Sequence, residues 1–216
     1  MEEAPVDLFQ KYNLVAIIAF AITGVLAAAP RTQSVVALIV LGVVSAVGGG
    51  TMRDIVLGTK VFWIADFTYI WLAVAGSFAG FLAIELFKRW KSLLLYLDAL
   101  GAALFAVESI NKSVGLGANP GVGVMMGLIT AIGGGVLRDL LVDRPTLLVQ
   151  RDLYATPIVL GSLAYVALLY FGIDRDVSAA IAIVLIFGIR SAAIHWNLVV
   201  PDWLHVPESP VKDPSS

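Results

Sequence analysis

One heptapeptide pattern occurs twice in this chain and constrains it more than any other feature. Gly48-Gly49-Gly50-Thr51-Met52-Arg53-Asp54 returns 85 residues later as Gly133-Gly134-Gly135-Val136-Leu137-Arg138-Asp139. Both copies sit in long apolar runs. Three consecutive glycines weaken a helix by about 1 kcal/mol each relative to alanine. An Arg-Asp pair close behind them is costly at membrane depth unless it faces protein or water. Two copies in one register mark a built feature, so the rest of the chain is taken as its support.

The setting is a membrane. Hydrophobic residues make up 59% of the 216 and charged residues only 14%, against about 25% in soluble domains. The mean hydropathy of +0.92 is spread along the whole length, which predicts an all-α polytopic membrane protein. A net charge of -2 gives no reason to expect nucleic acid. With no cysteine, disulfides and thiolate sites are excluded. His195 and His205 are too few for a histidine metal cluster, so neither a metal nor a cofactor is expected. No nucleotide-binding, zincin or nucleophile-elbow pattern is present, and an enzyme has no candidate constellation. The acidic N-terminus does not resemble a cleaved signal peptide, so the first apolar segment is expected to be kept.

Seven segments reach the roughly 20 apolar residues that a span needs. They cover about Tyr12 to Ala29, Gln33 to Leu57, Phe67 to Phe87, Leu93 to Val114, Gly121 to Val142, Leu153 to Gly172 and Val177 to His195. Trp71, Trp90, Trp196 and Trp203 suit the interface. If the N-terminus is outside, the inner loops and tail hold Arg31, Lys88, Arg89, Lys91, Arg144, Arg151 and Lys212. The outer side then holds Lys11, Lys60, Lys112 and Arg175. The positive-inside rule therefore predicts N-out and C-in.

The 85-residue offset lays helices 1 to 3 over helices 4 to 6, with Asn13 over Asp98 and Phe20 over Phe105. Three spans per copy is odd, so the copies must cross in opposite senses, an arrangement typical of transporters. The expected organisation is an extracytoplasmic segment (1–11), a first three-helix repeat (12–92), a second, inverted one (93–173), a seventh helix (174–196) and a disordered cytoplasmic tail (197–216). The Arg-Asp pairs then fall on opposite sides of the midplane, with the triplets facing each other near the centre.

Glycine triplets admit two readings. Small residues let helices pack closely, or the turn is kinked or unwound and frees carbonyls toward a cavity; the symmetric doubling favours the second. Arg53-Asp54 and Arg138-Asp139 could be locally neutral pairs at helix ends, or could line a lumen as an electrostatic barrier. Asp98 and Glu108, ten residues apart on helix 4, share a face. A carboxylate as deep as Glu108 is functional by default, unless it is an ion pair with Arg190 or Lys112.

These residues resemble a known family. The two Gly-Gly-Gly-x-x-Arg-Asp stretches, Val61-Phe62-Trp63-Ile64 after the first, and Asp152-Leu153-Tyr154-Ala155-Thr156 after the second are similar to prokaryotic members of the TRIC family, the trimeric intracellular cation channels. The likeness covers about Leu14 to His195. It implies a homotrimer in a prokaryotic plasma membrane, each protomer carrying its own hourglass pore for monovalent cations such as potassium or sodium. Gly48, Gly49, Gly50, Gly133, Gly134 and Gly135 would take the kink role. Arg53, Asp54, Arg138 and Asp139 would line or gate the path, beside Asp98 and Glu108. The lysine-containing lipid-binding motif of animal members is not found. The same family is also labelled as bacterial uptake proteins for glycine, and inverted repeats with broken helices suit alternating access as well. A protein without transport would need its polar groups fully paired within the bundle.

Overall fold

The structure, a computed structural model, describes residues 7–89, 92–148 and 153–198. Trp90, Lys91, Arg151, Asp152, Trp203, most of the tail and residues 1–6 of the N-terminal segment lie outside the described residues. Among those described there are nine helices: α1 (Leu8–Ala28), α2 (Val35–Val56), α3 (Phe62–Ala65), α4 (Thr68–Leu82), α5 (Ile84–Arg89), α6 (Leu93–Gly115), α7 (Pro120–Leu141), α8 (Ala155–Tyr170) and α9 (Arg175–Trp196). Five of them, α1, α2, α6, α7 and α9, are long and apolar enough to cross a membrane. The shorter α4 and α8 take the third and sixth places. The protein is thus an all-α bundle of seven principal helices, and only the third expected span is broken, at Ala83.

Helix ends follow local chemistry. Ser34 starts α2, its Oγ accepting from the Ala37 amide at 3.3 Å. Asn119 does the same for α7, accepting from Gly121 at 2.8 Å, and Pro120 follows where a missing N–H costs nothing. The C-termini of α2 and α7 match in detail. Gly58 and Asp143, 85 residues apart, both adopt left-handed backbone (φ +65° and +50°), a conformation that glycine reaches freely and aspartate tolerates. The next residues also correspond: the Thr59 amide donates to the Asp54 carbonyl and the Arg144 amide to that of Asp139, both at 2.9 Å.

The first half packs α1 against α2 and α4; the second packs α6 against α7 and α8. The halves meet where α1 crosses α6 and α2 crosses α7, and α9 covers α6 and α8. Phe20 and Phe105, equivalent in the repeat, stack with centroids 5.4 Å apart. A Cβ on Gly49 would collide with the carbonyl of Thr130, and one on Gly134 with that of Ser45. Gly48 faces Leu137 as Gly133 faces Met52. Every one of these pairs maps onto its counterpart by the 85-residue offset, the reciprocity a two-fold axis imposes.

Both triplets lie within uninterrupted α-helix. The unwound turn expected there is corrected. In apolar surroundings a helix that gave up its internal hydrogen bonds would strand carbonyls without partners, and the contacts at Gly49 and Gly134 show the close approach that small residues allow.

Candidate functional site

The crossing of α2 and α7 separates two buried charge clusters, each beginning one turn beyond a triplet and each completed by α6. Successive residues in a helix rise by about 1.5 Å, so Asp98 and Glu108 lie roughly 15 Å apart along α6. One serves each cluster.

In the first cluster, Arg53 is 1% exposed and Asp54 is fully enclosed. Arg53 Nε donates to Asp54 Oδ1 at 2.7 Å. Its Nη1 donates to Glu108 Oε2 and to Ser109 Oγ at 3.2 Å. Lys112 Nζ also reaches Asp54 Oδ1, at 2.7 Å. The other oxygen of Asp54 accepts from the Phe62 amide at 2.8 Å, tying the loop after α2 to the cluster. Trp63 adds a bond from Nε1 to Thr51 Oγ1 at 2.9 Å.

The second cluster repeats the plan. Arg138 Nε donates to Asp139 Oδ1 at 2.8 Å, and Asp139 Oδ2 accepts from the Leu147 amide at 3.3 Å. Leu147 is the repeat partner of Phe62. Asp98 bridges two guanidinium groups: Oδ1 accepts from Arg138 Nη1 and Oδ2 from Arg190 Nη2, both at 3.0 Å. Arg190 also donates to the Tyr154 carbonyl at 3.1 Å and lies over the Tyr154 ring, 4.0 Å from its centroid.

Each cluster holds two cations against two carboxylates and is neutral. A buried charge without a partner costs several kcal/mol, and a buried pair needs good geometry and further hydrogen bonds to break even. Both clusters have them. Neither arginine snorkels to water; they are held in the bundle by α6.

The structure thus gathers all six predicted charged residues into the two clusters and the six glycines at and beside the crossing. The partner expected for Glu108 is corrected: it pairs with Arg53, and Arg190 pairs with Asp98. Sequence reasoning missed Ser109 and the amides of Phe62 and Leu147. The repeat offset held the signal for the two amides, because each follows its aspartate by eight residues. Several polar atoms remain buried without partners, among them Asn13 Oδ1 and Ser45 Oγ. Ser45 lies at the crossing itself, its carbonyl against Gly134. The bundle's polar groups are therefore not all satisfied.

A two-fold helical bundle with charge clusters on either side of a glycine crossing defines a polytopic membrane protein of the inverted-repeat class. The model of the family described as "Glycine transporter" matches residues 11–85 and 95–170, once in each half. The chain belongs to this family, the TRIC family. Among its relatives, the inner membrane protein YadS of Escherichia coli is 35% identical over 192 residues, 88% of this chain and 93% of YadS. A trimeric intracellular cation channel orthologue from Rhodobacter sphaeroides superimposes with a TM-score of 0.85 at 34% identity, covering 88% of this chain and 99% of that one. A further TRIC cation channel structure gives 0.80 at 31% identity, over 90% and 97%.

Proposed function

We propose that the chain is a cation channel of a prokaryotic inner membrane, passing potassium or sodium through each protomer of a homotrimer. The observation that carries this reading is the pair of neutral charge clusters on opposite sides of the Gly49–Gly134 crossing, in a fold shared with TRIC cation channels. On this reading, the paired charges and the close contact of the two helix backbones correspond to a shut path. Opening would part α2 from α7 at the triplets, where bending costs least because glycine adds no side-chain barrier, and would turn Arg53 and Arg138 from lock to lining. Asp54, Asp139, Asp98 and Glu108 would then hold the arginines aside or face the ion. The first repeat (12–92) and second repeat (93–173) move as the two jaws, with 174–196 as an outer brace. The basic loop residues favour an outer N-terminus and a cytoplasmic tail.

A second reading has support in the family's own description: glycine carried by alternating access, with the triplets as hinges. Recording purified protein in planar bilayers under a potassium gradient separates the two. Discrete current steps reversing near the potassium equilibrium potential fit the channel. Electrical silence with saturable glycine uptake in liposomes would replace the channel with the carrier.

A further inference from the structure

The two clusters carry the same charges but differ in exposure at the protomer surface. In the second, all four charged side chains are enclosed, and Asp98 uses both oxygens on two buried guanidinium groups. In the first, Arg53 and Asp54 are as deeply set, yet the Lys112 side chain is 27% exposed and that of Glu108 10%. Lys112 stands in the last turn of α6, just before a turn in which Gly117 has φ +83°. Its ammonium is a compact charge on a flexible four-carbon stem. It rests on Asp54 Oδ1, the same oxygen that Arg53 Nε holds at 2.7 Å. The repeat supplies no counterpart: the residue equivalent to Lys112 in α1 is Ala27, and that equivalent to Glu108 is Thr23.

Charge counting gives this asymmetry a consequence. With Lys112 docked, the first cluster is neutral. With Lys112 swung away, Arg53 faces Asp54 and Glu108 alone, and the cluster carries one net negative charge on its exposed side, at the end of α6. The second cluster has no cation that can leave in this way. We propose that Lys112 is a tethered competitor for the permeant monovalent cation: its ammonium occupies the Asp54 carboxylate that draws a cation into the mouth on the side where α6 ends and α7 begins. The inference rests on the channel reading. It makes Lys112 the residue that sets cation entry from that side, and it makes the two mouths unequal.

The test compares wild type with Lys112→Gln and Lys112→Arg in planar bilayers, across potassium chloride from about 10 mM to about 1 M, where the Debye length falls from about 30 Å to about 3 Å. One uncompensated charge about 4 Å from an ion in water enriches it roughly fivefold. Lys112→Gln should therefore raise low-salt conductance for ions entering at that mouth by up to about fivefold, introduce rectification, and converge with wild type at high salt. Lys112→Arg should track wild type, because a guanidinium still reaches Asp54. If Lys112→Gln does not assemble, Lys112→Met carries the same expectation. Superimposable conductance curves, or a fall at low salt, overturn the proposal. A second readout needs no current. Melting of the purified protein in potassium chloride is compared with melting in N-methylglucamine chloride at equal ionic strength. Potassium should stabilise Lys112→Gln by several degrees more than wild type, and equal shifts overturn the competitor role. A wild type that melts as expected but never conducts would sink the channel reading while leaving Lys112 as a cation competitor.

Discussion

At the scale of single residues, the glycines and the buried acids make separable demands. Gly49 and Gly134 each meet a backbone carbonyl of the other helix, and a carbonyl cannot swing aside as a side chain can. Gly49→Ala or Gly134→Ala should therefore push α2 from α7, lowering thermal stability by about 1–3 kcal/mol, the usual cost of overpacking, and abolishing flux. Unchanged flux with normal assembly would remove the crossing from the mechanism. A leucine at either position is expected to disturb assembly as well as flux. Gly48 differs, because its Cβ would crowd only the tip of the Leu137 side chain, so Gly48→Ala should be milder. Asp98→Asn leaves Arg138 and Arg190 without their shared carboxylate. It should cost about 3–5 kcal/mol, as breaking buried pairs does, seen as a large drop in melting temperature in detergent. Arg53→Ala or Arg138→Ala should change conductance or open probability; if recordings of both match wild type, those arginines only brace the bundle.

At the scale of elements, capping chemistry predicts a contrast. Asp174 begins α9 by accepting from the amides of Asp176 and Val177 at 2.9 and 3.1 Å. Asp174→Ala should lower stability by about 1 kcal/mol while conductance stays as in wild type, because α9 joins the clusters only through Arg190, near its other end. Most of this level was legible in the sequence. The apolar runs, the helix-starting Ser34, Asn119 and Asp174, and the 85-residue offset all follow from local pattern. The break at Ala83 did not. It interrupts the apolar stretch Phe81-Leu82-Ala83-Ile84, which holds neither proline nor glycine. The continuity of α2 and α7 through their triplets was also hidden. Glycine's low helix propensity argues for a break, but hydrogen bonds in an apolar setting have no replacement, and that term wins. The pairing of Glu108 with Arg53 spans 55 residues and the bridging of Asp98 by Arg190 spans 92. Periodicity along one helix carries no information about such partners.

At the scale of the whole molecule, the two halves share a plan and differ in their charges. Asn13 stands where the second half has Asp98, and its buried Oδ1 has no partner. The first half thus lacks an acid of its own on α1 with which to meet Arg53, and borrows Glu108 from α6. If the protein assembles as its structural relatives do, light scattering of the purified protein should give three times the 22.9-kDa protomer; a monomer mass would refute the trimer. The unequal loop charges predict that a reporter fused to the C-terminus is active only in the cytoplasm, and an active periplasmic reporter would reverse the orientation.

The borrowing also bears on how the chain is made. Arg53 leaves the ribosome with Asp54 beside it, but Glu108, Ser109 and Lys112 follow more than fifty residues later. At about 5–20 residues per second, that is roughly 3–11 s during which α2 carries a charged pair into the membrane without the groups that complete its solvation. The contacts that complete the burial of Arg53 and Asp54 can therefore form only after α6 has been made. The order of synthesis and the order of burial are thereby uncoupled.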